Sequence, residues 1–91
     1  MSASEPLATE LDERSRRILD FERTWWLENG PKERQIRERF GMSPTRYHQL
    51  LVRAIDLPAA LAYDPMLVRR LRRLSEVRRR TRMARRLGLP S

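Results

Sequence analysis

Residues 32–55 read KERQIRERFGMSPTRYHQLLVRAI, and the order of residue types in this stretch specifies two short helices joined by a tight turn. Ile36 and Phe40 stand four apart, the spacing of one helix face, and Gly41 follows where helices commonly stop in the left-handed conformation. After Met42 comes Ser43-Pro44, a hydroxyl residue able to cap a helix start and a proline suited to its first position. Tyr47, Leu50, Leu51, Ala54 and Ile55 then make an apolar stripe at helical period. Two short helices joined so tightly have the layout of a helix-turn-helix, with Met42 plugging the corner and Tyr47 and Leu50 anchoring the second helix. One position departs from the usual pattern. Arg37, four residues before Gly41, stands where such motifs commonly carry a small residue, so it must snorkel outward or the helices must cross more widely.

Towards the N-terminus, Leu11, Ile18, Leu19, Phe21, Trp25 and Trp26 fall at helical spacing and predict a first helix ending at Asn29-Gly30. Asp12 and Glu13 lie in its first turn, where carboxylates favour the positive end of the helix dipole. Glu10/Arg14, Asp12/Arg16 and Glu13/Arg17 are candidate i,i+4 pairs. Adjacent residues lie about 100° apart on a helix, so one of Trp25 and Trp26 faces the core and the other is partly exposed, free to stack on a base or meet a second chain. Residues 1–10 are small, polar and interrupted by Pro6, and read as a flexible tail.

Towards the C-terminus, Leu57-Pro58 breaks the third helix, a short helical turn is expected over Ala59–Ala62, and Asp64-Pro65 repeats the cap-plus-proline start. A long helix follows to about Leu87, before Gly88 and Pro90. Its apolar stripe of Leu67, Leu71, Leu74 and Val77 is expected to dock on the other helices. Beyond it, residues 78–91 read as a basic arm that continues the helix, and residues 11–77 as the helix-turn-helix domain. Repulsion among its arginines favours fraying of this arm in the absence of a polyanion. No repeat and no strand is legible. The expected class is all-α, a small helical domain with a helix-turn-helix and a long Arg-rich C-terminal helix.

Charge is distributed very unevenly. Residues 1–63 hold ten basic and ten acidic side chains, so the formal net charge of +8 arises entirely beyond them. There, Arg69, Arg70, Arg72, Arg73, Arg78, Arg79, Arg80, Arg82, Arg85 and Arg86 face only Asp64 and Glu76. Self-supporting surface helices usually alternate sign to gain i,i+4 pairs, so a neutral body with a cationic end points to a bound polyanion. Lys32 is the single lysine, and the arginine bias suits phosphate, guanine and a narrow minor groove. An amphipathic membrane helix is the weaker reading, because the apolar face of the arm is thin and lacks Trp or Phe.

In a helix-turn-helix the N-terminal part of the second helix meets base edges in the major groove. Ser43, Thr45, Arg46, His48, Gln49 and Arg53 are therefore the candidate recognition residues, with Gln able to pair with adenine and Arg with guanine. The arginines of the last helix are the candidate phosphate or minor-groove contacts. The expected partner is double-stranded DNA, and a homodimer is expected for tight binding, its surface being either the first helix or the Leu67–Val77 stripe. Other classes fit less well. With no cysteine and His48 as the sole histidine, no metal site is expected. The chain is too short for an enclosed cofactor fold, no cofactor or small-molecule ligand is expected, and no nucleophile–base set or glycine-rich phosphate loop marks an enzyme. The start MSASEPLATE lacks the basic residues and apolar run of a secretory signal, and no run suits a membrane span, so a cytoplasmic location is expected.

The signatures FERTWW, FGMSPTRY and DPMLVRRL are distinctive, and the chain from about Ile18 to Leu87 resembles small actinobacterial proteins grouped as a domain of unknown function with a helix-turn-helix. The resemblance implies an actinobacterial or phage source, a helical fold and a DNA-binding role, with nucleoid association as one form of it. It brings no catalytic residues. A lenient nucleoid organiser and a transcriptional regulator both fit, and the missing effector domain favours the organiser. A different class also fits: an adaptor on RNA polymerase or the ribosome, using the basic arm on RNA.

Overall fold

A computed structural model of the chain describes residues 11–88. The tail assigned to residues 1–10, the Glu10/Arg14 pair, Pro90 and the end of the arm lie outside them. Five helices follow one another, with no strand among the described residues. They are α1 (Glu13–Thr24), α2 (Lys32–Phe40), α3 (Pro44–Ile55), α4 (Pro58–Tyr63) and α5 (Pro65–Arg86), with a 3-10 turn at Trp25–Leu27. None is long and apolar enough to cross a membrane. The all-α class is therefore as expected.

Local chemistry sets most boundaries. Gly41 takes φ +63° and ends α2, its N–H bonded to the Arg37 carbonyl. The Ser43 hydroxyl accepts from the Arg46 N–H at 3.1 Å, and Pro44 opens α3. Asp64 accepts from the Leu67 N–H at 3.4 Å at the start of α5, again ahead of a proline. Asp12 is the N-cap of α1 and accepts from the Ser15 N–H at 2.7 Å. Hydrogen bonding from Ser15 holds its carboxyl below the ordinary carboxylate range.

The first helix is shorter than its sequence pattern suggests. It stops at Thr24, and the 3-10 turn winds tightly enough to send Trp25 inward, half-buried, while Trp26 stays 63% exposed. The Trp26 indole N–H donates to the Arg23 carbonyl at 3.0 Å, which fixes the ring's direction. Gln35, buried on α2, donates through Nε2 to the carbonyls of Trp25 and Gly30 and so fastens α2 to the 3-10 turn and to the connection after it. Gly30 does have positive φ, but it closes the connection to α2 rather than α1 itself. The arginines proposed for pairing along α1 turn to other acceptors. Arg16 donates to the Leu11 carbonyl at 2.9 Å. Arg17 donates to the Arg39 carbonyl at 3.0 Å, on the last turn of α2, and lies over the Phe40 ring.

The core lies where α1, α2 and α3 meet, around Phe21, Phe40 and Tyr47, whose ring centroids are 5.2–5.7 Å apart. Tilted and edge-on contacts of this kind add about 0.5–1.5 kcal/mol per pair beyond burial. Ile18, Leu19, Leu51 and Ile55 continue the core to α4 and α5, where Ala59, Ala60, Leu67 and Val68 complete it. The apolar stripe of α5 engages less than its sequence suggests. Leu67 and Val68 are buried and Leu71 half-buried, but Leu74 and Val77 are 47% and 54% exposed. Both neighbours Leu67 and Val68 face inward because α5 is flanked by α4 on one side and by α1 and α3 on the other. Past Leu71 the helix has left these supports.

A candidate nucleic-acid interface

Helix α3 turns Tyr47, Leu50, Leu51, Ala54 and Ile55 into the core, so its opposite arc faces solvent. Thr45, Arg46, His48, Gln49 and Arg53 all lie on that exposed arc. Thr45 and Gln49 occupy its middle, with His48 on one edge and Arg46 and Arg53 on the other. Ser43 serves first as the N-cap. Its hydroxyl accepts there, leaving the O–H to donate elsewhere. Arg37 is exposed on α2, so it snorkels outward. Met42 is half-buried against the core at the corner.

The distal half of α5 runs beside this arc. Between them opens a cleft of about 870 Å³, lined on one side by Thr45, His48, Gln49 and Val52 and on the other by Arg70, Leu71, Leu74, Arg78 and Arg82. Trp25, Trp26 and Lys32 line it as well. The placement of Arg78 and Arg82 follows from helical period. Positions 67, 71, 74, 78 and 82 share one face of α5, and its residue type changes from Leu to Arg after position 74. Cations therefore stand where the apolar stripe would have met α3. Burial first, and then the charges of Arg78, Arg82 and Lys32, hold His48 below its ordinary value of 6.5, so the ring is mainly neutral near pH 7.

The remaining arginines divide by role. Arg72 donates through Nε to the Ile55 carbonyl and through Nη2 to the Leu57 carbonyl, so it clamps the C-terminal end of α3. Arg79 and Arg80 pair with Glu76, at 2.8 and 3.8 Å. Such exposed pairs contribute little to stability and open readily to a phosphate. Arg69, Arg73, Arg85 and Arg86 point into solvent. The positive surface thus comprises three arginines in the cleft and others spread around the helix.

Beneath the exposed arc of α3 lies a set of side chains that reading the sequence missed. Glu22, only 5% exposed on α1, accepts from the Tyr47 hydroxyl and from Lys32 Nζ, the latter at 2.9 Å. One carboxylate thereby ties α1, α2 and α3 together behind the exposed arc. Desolvation and the adjacent Glu22 charge push the Tyr47 phenol far above its ordinary range, so it remains a donor at any working pH. A signal was present. Ser15, Ile18, Leu19 and Glu22 follow an i, i+3, i+4, i+7 spacing, which puts Glu22 on the buried face of α1. Among the described residues, no group of three or more His, Cys, Asp or Glu is placed to hold a metal.

No curated protein and no solved structure matches the chain. A family described as "Protein of unknown function (DUF3263)" matches residues 10–83, spanning all five helices except the last turn of α5. On that match, the chain belongs to the DUF3263 family.

Proposed function

We propose that the protein binds double-stranded DNA, with the exposed arc of α3 in the major groove and the arginines of α5 on phosphates or in the minor groove. The observation that carries this reading is the tight α2–Gly41–α3 turn, which leaves Thr45, Arg46, His48, Gln49 and Arg53 uncovered beside the arginines of α5. The supporting physics is electrostatic. Phosphate contacts supply most of the affinity of such proteins, and here cations outnumber the side chains able to read bases. One reading helix per chain grips few base pairs, which favours a lenient, nucleoid-associated role in the cytoplasm over a dedicated regulator. The chemistry is binding, without catalysis.

A salt series of fluorescence anisotropy on a selected duplex and a random duplex tests the proposal. With about six phosphates neutralised, log K falls against log salt with a slope near −5. Replacing Arg78, Arg79, Arg80 and Arg82 weakens binding to all duplexes alike, whereas replacing Arg46 and Gln49 reduces the preference for the selected one. Absence of duplex binding at low salt overturns the proposal. Tighter binding to structured RNA than to duplex would instead support the adaptor reading.

A further inference from the structure

The cleft between α3 and α5 has a second chemical character beside its charge, and we infer that it is a docking groove for an acidic amphipathic helix of a partner protein. Leu71, Leu74 and Val52 furnish aliphatic walls and Trp26 an exposed indole, while Lys32, Arg70, Arg78 and Arg82 stand around them. The single carboxylate in the lining, Glu22, is buried and already accepts from Tyr47 and Lys32, so it offsets Lys32 and leaves Arg70, Arg78 and Arg82 uncompensated. Aliphatic side chains and cations lining one cleft match a helix with leucine-like residues on one face and carboxylates flanking them.

Dimension and charge narrow the occupant. A helix about 10 Å across, rising 5.4 Å per turn, fills the 870 Å³ of the cleft with roughly two turns, the length over which i, i+3, i+4 and i+7 anchors engage a groove. A second copy of this chain does not fit by charge. Helices α1, α2, α3 and α5 each carry more basic than acidic residues, and α4 carries no charge, so no described helix is acidic. Phosphate alone leaves the aliphatic walls wet. Leu74, 47% exposed in the middle of them, loses water only against another apolar group. Because Thr45, His48 and Gln49 line the same cleft, an acidic helix seated there covers part of the arc that α3 would present to DNA. The partner and a duplex would then exclude one another.

The test uses the full chain and its own reporters, since Trp25 and Trp26 are its only tryptophans and both line the cleft. The probe is a synthetic peptide of about 18 residues, about 27 Å when helical, with leucines on one face and glutamates elsewhere, its helicity checked by circular dichroism. The expected result is a blue shift of tryptophan emission on saturation at physiological ionic strength. Replacing the peptide's leucines by serine, with every glutamate kept, raises Kd at least about tenfold, and so does Leu74→Glu in the protein. Leu74 is half exposed, and a circular dichroism melt of that variant separates lost docking from lost folding. Equal affinity for the serine peptide reduces the site to a charged surface and overturns the inference. So does an unchanged emission spectrum, or a single-stranded oligonucleotide that displaces the peptide and gives the same shift. The peptide titration involves no DNA and stands whether or not a duplex binds. Displacement of the peptide by duplex is expected only where both readings hold.

Discussion

Replacing Tyr47 by Phe removes a single oxygen from the buried centre of the helix-turn-helix. That oxygen donates to Glu22, a carboxylate 5% exposed that otherwise has Lys32 as its partner. A hydrogen bond to a charged buried group is worth about 1.5–3 kcal/mol, and the lone pairs it leaves behind cannot recruit bulk water at this depth. For a domain of this size each kcal/mol moves Tm by about 4–8 °C, so Tyr47→Phe is expected to lower Tm by about 10 °C. Urea unfolding followed by circular dichroism is the assay. The midpoint should fall with the m-value unchanged, because the ring and its contacts with Phe21 and Phe40 remain. The double variant Glu22→Leu/Tyr47→Phe should recover much of the loss, since it removes both buried partners and strands only Lys32, whose ammonium is partly exposed to water and lies over the Trp25 ring. A Tyr47→Phe variant within about 0.5 kcal/mol of the parent would show that the carboxylate is hydrated or satisfied elsewhere, and the account of the three-helix tie would be wrong.

Three further predictions concern α3 and its surroundings. Ser43→Ala removes the cap at the Arg46 N–H and should cost about 1 kcal/mol in urea unfolding; no loss would mean that water caps α3 equally well. Gly41→Ala should also cost about 1 kcal/mol, purely from its φ of +63°, because an added Cβ meets no atom within 4 Å. A loss of several kcal/mol there would reveal a clash that the open space at Gly41 excludes. His48 titrates below 6.5, so the unfolded chain takes up its proton first: the contribution of His48 to stability is present above pH 6.5 and is lost as pH falls towards its folded value. Bound phosphates oppose the cations that depress it, so duplex should raise the His48 value in an NMR titration of its ring proton, with binding strengthening as pH falls. An unchanged His48 in the complex would place the phosphates elsewhere.

The legible parts of the fold were those decided within a few residues. Gly41, Ser43-Pro44 and Asp64-Pro65 act on their own backbone, so the turn and the starts of α3 and α5 could be read directly from residue type. The exposed arc of α3 was legible for the same reason, once Tyr47, Leu50 and Leu51 fixed the inward face. Properties that depend on distant partners were hidden. Asn29-Gly30 looked like the end of α1, but α1 stops earlier, at Thr24, and the segment after it is held by Gln35, ten residues beyond Trp25, through the Trp25 and Gly30 carbonyls. Leu74 and Val77 carried the right period for docking, yet the packed face of α5 runs out after Leu71. Glu22 had core spacing but the wrong polarity, and its partners Tyr47 and Lys32 come from two other helices. The cleft itself was not visible in the sequence, since it exists only where α3 and α5 separate.

The segregation of charge along α5 also has a kinetic consequence. Ten arginines and one glutamate occupy a helix roughly 33 Å long, attached to a body that carries a single net negative charge. Such a molecule has a large electric dipole moment, and the field of a polyanion exerts a torque on it before any contact is made. If the protein binds DNA as proposed, its rotational search is shortened, because it then arrives with α5 leading and α3 close behind. Added salt should therefore slow arrival far more than it hastens departure for any complex held mainly through α3.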